Sequence, residues 1–180
     1  MIKYKNVEIY QTPEEVENLR KLVQETEDVP GVIAEIGTYQ GATASIMREE
    51  TLKPIYTFDT FEGFPDVLHE TDAKSYFVGD CKAPIEIAKE LLKDKDIEII
   101  RGEFPNTSEI LKGKKFSFVH IDVDIYVSTK NAINFFKDKM NKGGIILIHD
   151  YPAHRGVKKA VDEELGEVEV LGGRQAIWRT

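Results

Sequence analysis

The sequence predicts an α/β fold: a mostly parallel, seven-stranded sheet with an antiparallel last strand and helices on both faces. Two observations carry this expectation. Five short apolar runs, VIAEI (32–36), IYTFD (55–59), IEIIRG (97–102), FSFVHID (116–122) and GIILIHD (144–150), alternate with segments of helical pattern. Runs that are hydrophobic throughout belong to strands buried on both faces of a parallel sheet. The tail then breaks the alternation. EVEVL (167–171), Gly172-Gly173 and RQAIWRT (174–180) have the pattern of a hairpin with no helix between its strands.

The elements follow in order. Thr12 with Glu15 has the form of a capping box, Pro13 suits a first helical position, and Val16, Leu19 and Val23 give one apolar face. Asp28, Pro30 and Gly31 end that helix, and residues 1–30 are expected as an N-terminal helical segment of a single domain spanning 1–180. Further helices are expected over Ala42–Glu50, Pro84–Lys93, Ser128–Met140 and Gly156–Leu165, with Ser128 or Thr129 as a cap for the third of them. Thr60 to Ala83 is a long connection of the kind that is usually functional, and 60–83 is expected as an active-site loop or lid. Five α/β units and a closing hairpin resemble the Rossmann-like fold of class I methyltransferases more than a dinucleotide-binding dehydrogenase.

Composition narrows the partners. The chain of 180 residues, 41% hydrophobic and 31% charged, can bury a core of its own. A formal charge of −8 argues against nucleic acid as the main partner, because phosphate binding needs clustered Lys and Arg. No apolar run approaches the roughly 20 residues of a membrane span, and the first residues lack the apolar stretch of a signal peptide. Cys81 is alone, which excludes a disulfide framework, and a reduced cytoplasmic setting is the expectation.

Three constellations point to chemistry. In VIAEIGTYQGATA (32–44), Glu35 comes late in a strand, Gly37 permits a tight turn, and Gly41 lets a helix start close by. The pattern suits either a cofactor cradle or a plain strand-turn-helix. The acid favours a cationic group such as the amino group of S-adenosylmethionine, and the missing third glycine disfavours NAD. Asp59 lies 24 residues further on, at a strand end, where a carboxylate can accept from two ribose hydroxyls. Phe61 and Phe64 read as apolar cover for the adenosine or the acceptor. Asp122 and Asp150 end two more strands, with Asp124 or His149 nearby. These acids can hold a hard divalent cation, serve as general base for a hydroxyl, or merely cap helices. His120 reads as a hydrogen-bonded core residue, and His154 follows the rim.

DTFEGFP (59–65), HIDVDIYVST (120–129) and GGIILIHDY (143–151) together resemble the macrocin O-methyltransferase family, in order and spacing. The resemblance runs from about Glu35 to Tyr151. It implies S-adenosylmethionine as cofactor, a small-molecule hydroxyl acceptor, usually a sugar, and an assisting Mg2+ ion. Glu35, Gly37, Thr38 and Gly41 would face the methionine part, Asp59 the ribose, with Thr60 and Phe61 close by. Glu103, just past the third run, and Asp122 join the expected cofactor set. Asp122, Asp150 and His149 are the expected metal ligands, and Asp122, Asp124 and His149 the expected catalytic groups, Asp122 first as base. Two departures stand out. The family commonly has Asp-Asp-Tyr where this chain has His149-Asp150-Tyr151, and magnesium prefers oxygen. Less chain precedes the core than is usual, which makes a homodimer a way to complete the cover. The competing readings are a non-catalytic nucleoside-binding protein, motivated by that short N-terminal part, and an NAD oxidoreductase.

Overall fold

The computed structural model of the chain describes residues 2–66 and 68–180. Its strands are β1 (Ile2–Tyr4), β2 (Val7–Ile9), β3 (Val32–Ile36), β4 (Ile55–Asp59), β5 (Ile97–Arg101), β6 (Phe116–Ile121), β7 (Met140–His149), β8 (Glu169–Val170) and β9 (Gln175–Arg179). Its α-helices are α1 (Pro13–Glu25), α2 (Ala42–Glu50), α3 (Ile85–Leu92), α4 (Tyr126–Phe136) and α5 (Arg155–Glu164). The main sheet has the order β5-β4-β3-β6-β7-β9-β8. β3 to β7 pair in parallel, and β9 runs antiparallel to both β7 and β8. The seven-stranded sheet with its antiparallel end is therefore present as expected.

Strand periodicity sorts the core into two layers. Ala34, Ile36, Val119, Ile121, Ile146 and Ile148 face α4 and α5, where Phe136 and Val161 meet them. Ile33, Phe118, Ile145 and Leu147 face the other way, toward Leu19, Leu22 and Val23 of α1 and Met47 of α2. A register irregularity between Phe116 and Phe118 lets both phenylalanines be buried, on opposite faces. His149, next after Ile148 in β7, therefore turns toward α1 rather than toward α5.

Three boundaries differ from the sequence expectation. Residues 1–30 are not helical throughout, because β1 and β2 form a separate antiparallel hairpin whose Val7 and Ile9 join the α1 layer. The third of the expected later helices begins at Tyr126 and ends at Phe136, and Met140 opens β7. Neither Ser128 nor Thr129 caps it. Asp72 Oδ1 instead accepts from the Tyr126 N–H at 2.8 Å, so the cap comes from the long 60–83 connection. Thr129 turns its hydroxyl back to the Ile125 carbonyl at 2.8 Å.

The strand ends that carry the site are locked together at Gly37. Its N–H donates to the Phe58 carbonyl, and Asp122 N–H donates to the Ile36 carbonyl, both at 2.9 Å. Gly37 has φ +100°, and a Cβ there would stand 1.8 Å from the Asp122 carbonyl oxygen. Gly37→Ala is expected to lower the unfolding free energy by about 3 kcal/mol or more in urea denaturation. A loss below about 1 kcal/mol would show that β3 and β6 part freely at this point.

Candidate functional site

The carboxyl ends of the parallel strands open into one cavity of about 800 Å³. Gly37 and Thr38 follow β3, Asp59 and Thr60 stand at the end of β4, and Glu103 follows β5; all line the cavity. Asp122 and Asp124 after β6, and His149 and Asp150 at the end of β7, line the same space. The topology thus gathers most of the residues expected from sequence.

Asp59 organises the half nearer β4. Its Oδ2 accepts from Tyr39 N–H at 2.8 Å and its Oδ1 from Phe61 N–H at 2.7 Å. Burial raises its pKa despite those two donors. Each carboxylate oxygen has a second acceptor position, so hydroxyls can still bind. Phe64 lines the cavity, with its ring 4.8 Å from that of Tyr76.

Three expected cofactor residues lie outside the cavity lining. Glu35 is fully buried on the α1 side of the sheet, because its register partners in β4 and β6 are Thr57 and His120. Thr57 Oγ1 donates to Glu35 Oε2 at 2.6 Å, and His120 Nδ1 lies 3.2 Å from Oε1. Glu35 therefore reaches the cavity only through a hydroxyl chain, since Thr57 Oγ1 meets Thr38 Oγ1 at 2.5 Å. Gly41 faces α3, where a Cβ would press on Leu92 at 3.2 Å. Phe61 is buried, and its contact with the rim is the N–H it donates to Asp59 Oδ1.

The other half is an ion network. His149 Nδ1 lies 3.1 Å from Asp122 Oδ1 and 3.3 Å from Asp150 Oδ2, and its Nε2 faces Glu15 Oε2 at 3.6 Å. Gln11 Nε2 donates to Asp122 Oδ2 at 2.5 Å, and Arg174 Nη1 to Asp150 Oδ1 at 2.8 Å. Burial alone would keep His149 neutral, but the carboxylates of Asp122, Asp150 and Glu15 raise its pKa to about 12. Burial likewise opposes charge on Asp150, and His149 overrides it to hold the carboxyl at about 2. Glu15 is also held at about 2 against burial, by His149 and by the N–H groups of Thr12 and Arg174. Asp124 differs: burial first, then the neighbouring charge of Asp122, push its pKa well above the usual carboxylate range. Both oxygens of Asp122 already face protein donors, as those of Asp59 do, and Asp124 lines the cavity close by as a second carboxylate that can serve as base.

Asp122, His149 and Asp150 offer ligand atoms close enough to share one metal ion, as do Asp124, Asp150 and His154. The donor set fits a divalent cation, with an imidazole nitrogen at one corner. Sequence reasoning missed Gln11, Glu15, Tyr76 and Arg174 and did not select His154. Glu15 is the capping-box acid of α1, a role that hides its contact with His149. The turn pair Gly172-Gly173 was the one available signal, since a Cβ on Gly173 would press on Glu15 Oε1 at 2.6 Å.

This strand order, parallel strands closed by an antiparallel end, is a Rossmann-like fold that solved methyltransferase structures share. The model of the macrocin-O-methyltransferase (TylF) family matches residues 12–169, and the chain belongs to that family. It is similar to the demethyldecarbamoylnovobiocin O-methyltransferase of Streptomyces niveus, 23% identical over 179 residues, covering 86% of this chain and 66% of that protein. It is also similar to the 8-demethyl-8-(2,3-dimethoxy-alpha-L-rhamnosyl)-tetracenomycin-C 4'-O-methyltransferase of Streptomyces olivaceus. There the identity is 24% over 189 residues, covering 91% of this chain and 72% of the relative. The chain thus spans about two thirds of the length of these relatives. The crystal structure of CalS11, a calicheamicin methyltransferase, superposes with a TM-score of 0.77 at 23% identity, covering 91% of this chain and 77% of the other. Among the described residues no helix is long and apolar enough to cross a membrane.

The network sets a pH window. Asp150 and Glu15 are lowered from 3.8 and 4.5, so their stabilisation is present above those values and lost as pH falls toward about 2. His149 is raised from 6.5, so its contribution is full below that value and is lost as pH rises toward about 12. Asp59 and Asp124 are raised, so their contributions also decline as pH rises above the usual carboxylate value. The metal-free protein's melting temperature is therefore expected to fall on the alkaline side more steeply than that of His149→Gln. A melting temperature unchanged from about pH 5 to 10 would contradict the charge state assigned to His149.

Proposed function

We propose that the chain transfers a methyl group from S-adenosylmethionine to a hydroxyl of a small molecule, with a sugar as the acceptor. The observation that carries this reading is the cavity itself, which sets Asp59 on one side and the Asp122, Asp124, His149 and Asp150 cluster on the other. The relatives named above as O-methyltransferases support the acceptor chemistry, and rhamnosyl in one of their names supports a sugar. A cavity of about 800 Å³ is within the usual size of small-molecule sites.

In this reading Asp59 accepts the ribose hydroxyls, while Gly37 and Thr38 present backbone and hydroxyl groups to the methionine part. The acceptor oxygen attacks the sulfonium methyl in line, forming the O–C bond as the C–S bond breaks and leaving a neutral thioether. Asp124 takes the hydroxyl proton. It lies in the loop after β6 and lines the cavity beside Asp122 and Asp150. Asp122 and Asp150, held by Gln11, His149 and Arg174, fix the shape of the acceptor side. A divalent ion held by Asp122, His149 and Asp150 would lower the acceptor hydroxyl's pKa when bound.

Asp124→Asn is expected to bind S-adenosylhomocysteine as the wild type does, by calorimetry, yet to lose about 10²- to 10⁴-fold in turnover of any glycoside or catechol acceptor that the wild type methylates. Equal turnover by the two proteins would remove Asp124 as the base.

A further inference from the structure

His149 stands where the family resemblance leads one to expect a second carboxylate, and the surroundings of its imidazole are built rather than incidental. Three atoms converge: His149 Nδ1, Asp122 Oδ1 and Asp150 Oδ2, with the nitrogen 3.1 Å and 3.3 Å from the two oxygens. The far atom of each group is met from behind. Gln11 Nε2 holds Asp122 Oδ2, Arg174 Nη1 holds Asp150 Oδ1, and the buried Glu15 carboxylate faces His149 Nε2. His149 is itself 3% exposed, and its Nε2 has no hydrogen-bond partner within bonding distance. Metal ligands are characteristically oriented in this way, with the second histidine nitrogen turned to a carboxylate.

The neighbouring trio of Asp124, Asp150 and His154 shares Asp150, so the two trios compete for it. His154 Nδ1 lies 2.9 Å from the hydroxyl of Tyr76, which favours the His149 trio as the ligand set. Magnesium demands near-octahedral oxygen coordination and keeps much of its water. An imidazole nitrogen suits borderline metals such as Fe2+, Ni2+ and Zn2+ far better.

We propose that His149 retunes this cluster, so that the ion held by Asp122, His149 and Asp150 is a borderline divalent transition metal rather than magnesium. The inference rests on reading the cluster as the metal site of a methyltransferase, but its test needs no turnover. The metal-free 180-residue chain is titrated calorimetrically with Co2+ and with Mg2+. The Co2+-loaded protein is then examined by proton NMR for a hyperfine-shifted imidazole N–H resonance.

Co2+ is expected to bind the wild type with clear preference, and the preference over Mg2+ to fall about 10- to 100-fold in His149→Asp. The shifted resonance is expected in the wild type and in His154→Gln, and its presence in both supports the assignment even where His149→Asp does not fold. Equal affinity for Mg2+ and Co2+, no saturable metal binding, or a resonance lost in His154→Gln would each overturn the proposal. Calorimetry with S-adenosylhomocysteine is run in parallel. Selective metal binding without cofactor binding would remove the methyltransferase reading and leave the metal assignment standing.

Discussion

The molecule depends most on the buried contact of His149 with Asp122, Asp150 and Glu15. Taking one such charge out of water costs several kcal/mol, and the cost is offset only where opposite charges and hydrogen bonds surround it. Here the opposite charges come from Glu15 in α1, Asp122 after β6 and Asp150 after β7, while Gln11 just before α1 and Arg174 in the final turn hold the two aspartates from behind. The N-terminal helix and the C-terminal hairpin are thereby tied to the rim on which the proposed chemistry takes place. Loss of one partner would leave the others buried and unpaired, so site and fold share a single electrostatic constraint.

The sheet makes that contact possible. Two-residue periodicity sends Ile146 and Ile148 to one core and Leu147 to the other, and so turns His149 toward α1. The same periodicity turns Glu35 away from the cavity and against His120 and Thr57. Parallel strands with all their carboxyl ends at one edge then bring Asp59, Asp122 and Asp150 to a single space.

The strands and most of the rim were legible because their signals are local. Apolar runs of five or six residues mark buried strands, and an acid directly after such a run falls on the rim. Thr12, Pro13 and Glu15 announced α1 for the same reason. What escaped depends on partners far away in sequence. The cap of α4 is Asp72, 54 residues before Tyr126, so the local Ser128 and Thr129 signal was misleading. Arg174 and Gln11 are unremarkable in sequence until the hairpin and α1 bring them to Asp150 and Asp122. Glu35, Gly41 and Phe61 were placed in the site by motif position, although side-chain direction decides which neighbours of a glycine turn actually face a ligand. The lid expected over 60–83 remains a proposal, now with Asp72 and the contact of Tyr76 with His154 as its attachments.

The central claim is that the half of the cavity around Asp59 holds S-adenosylmethionine. Calorimetric titration of the wild-type chain with S-adenosylhomocysteine and with NAD, side by side, tests it most directly. The account predicts saturable binding of S-adenosylhomocysteine, lost when Asp59 is replaced by Ala, and weaker or undetectable binding of NAD. Tighter binding of NAD, or binding of S-adenosylhomocysteine unaffected in Asp59→Ala, would contradict it.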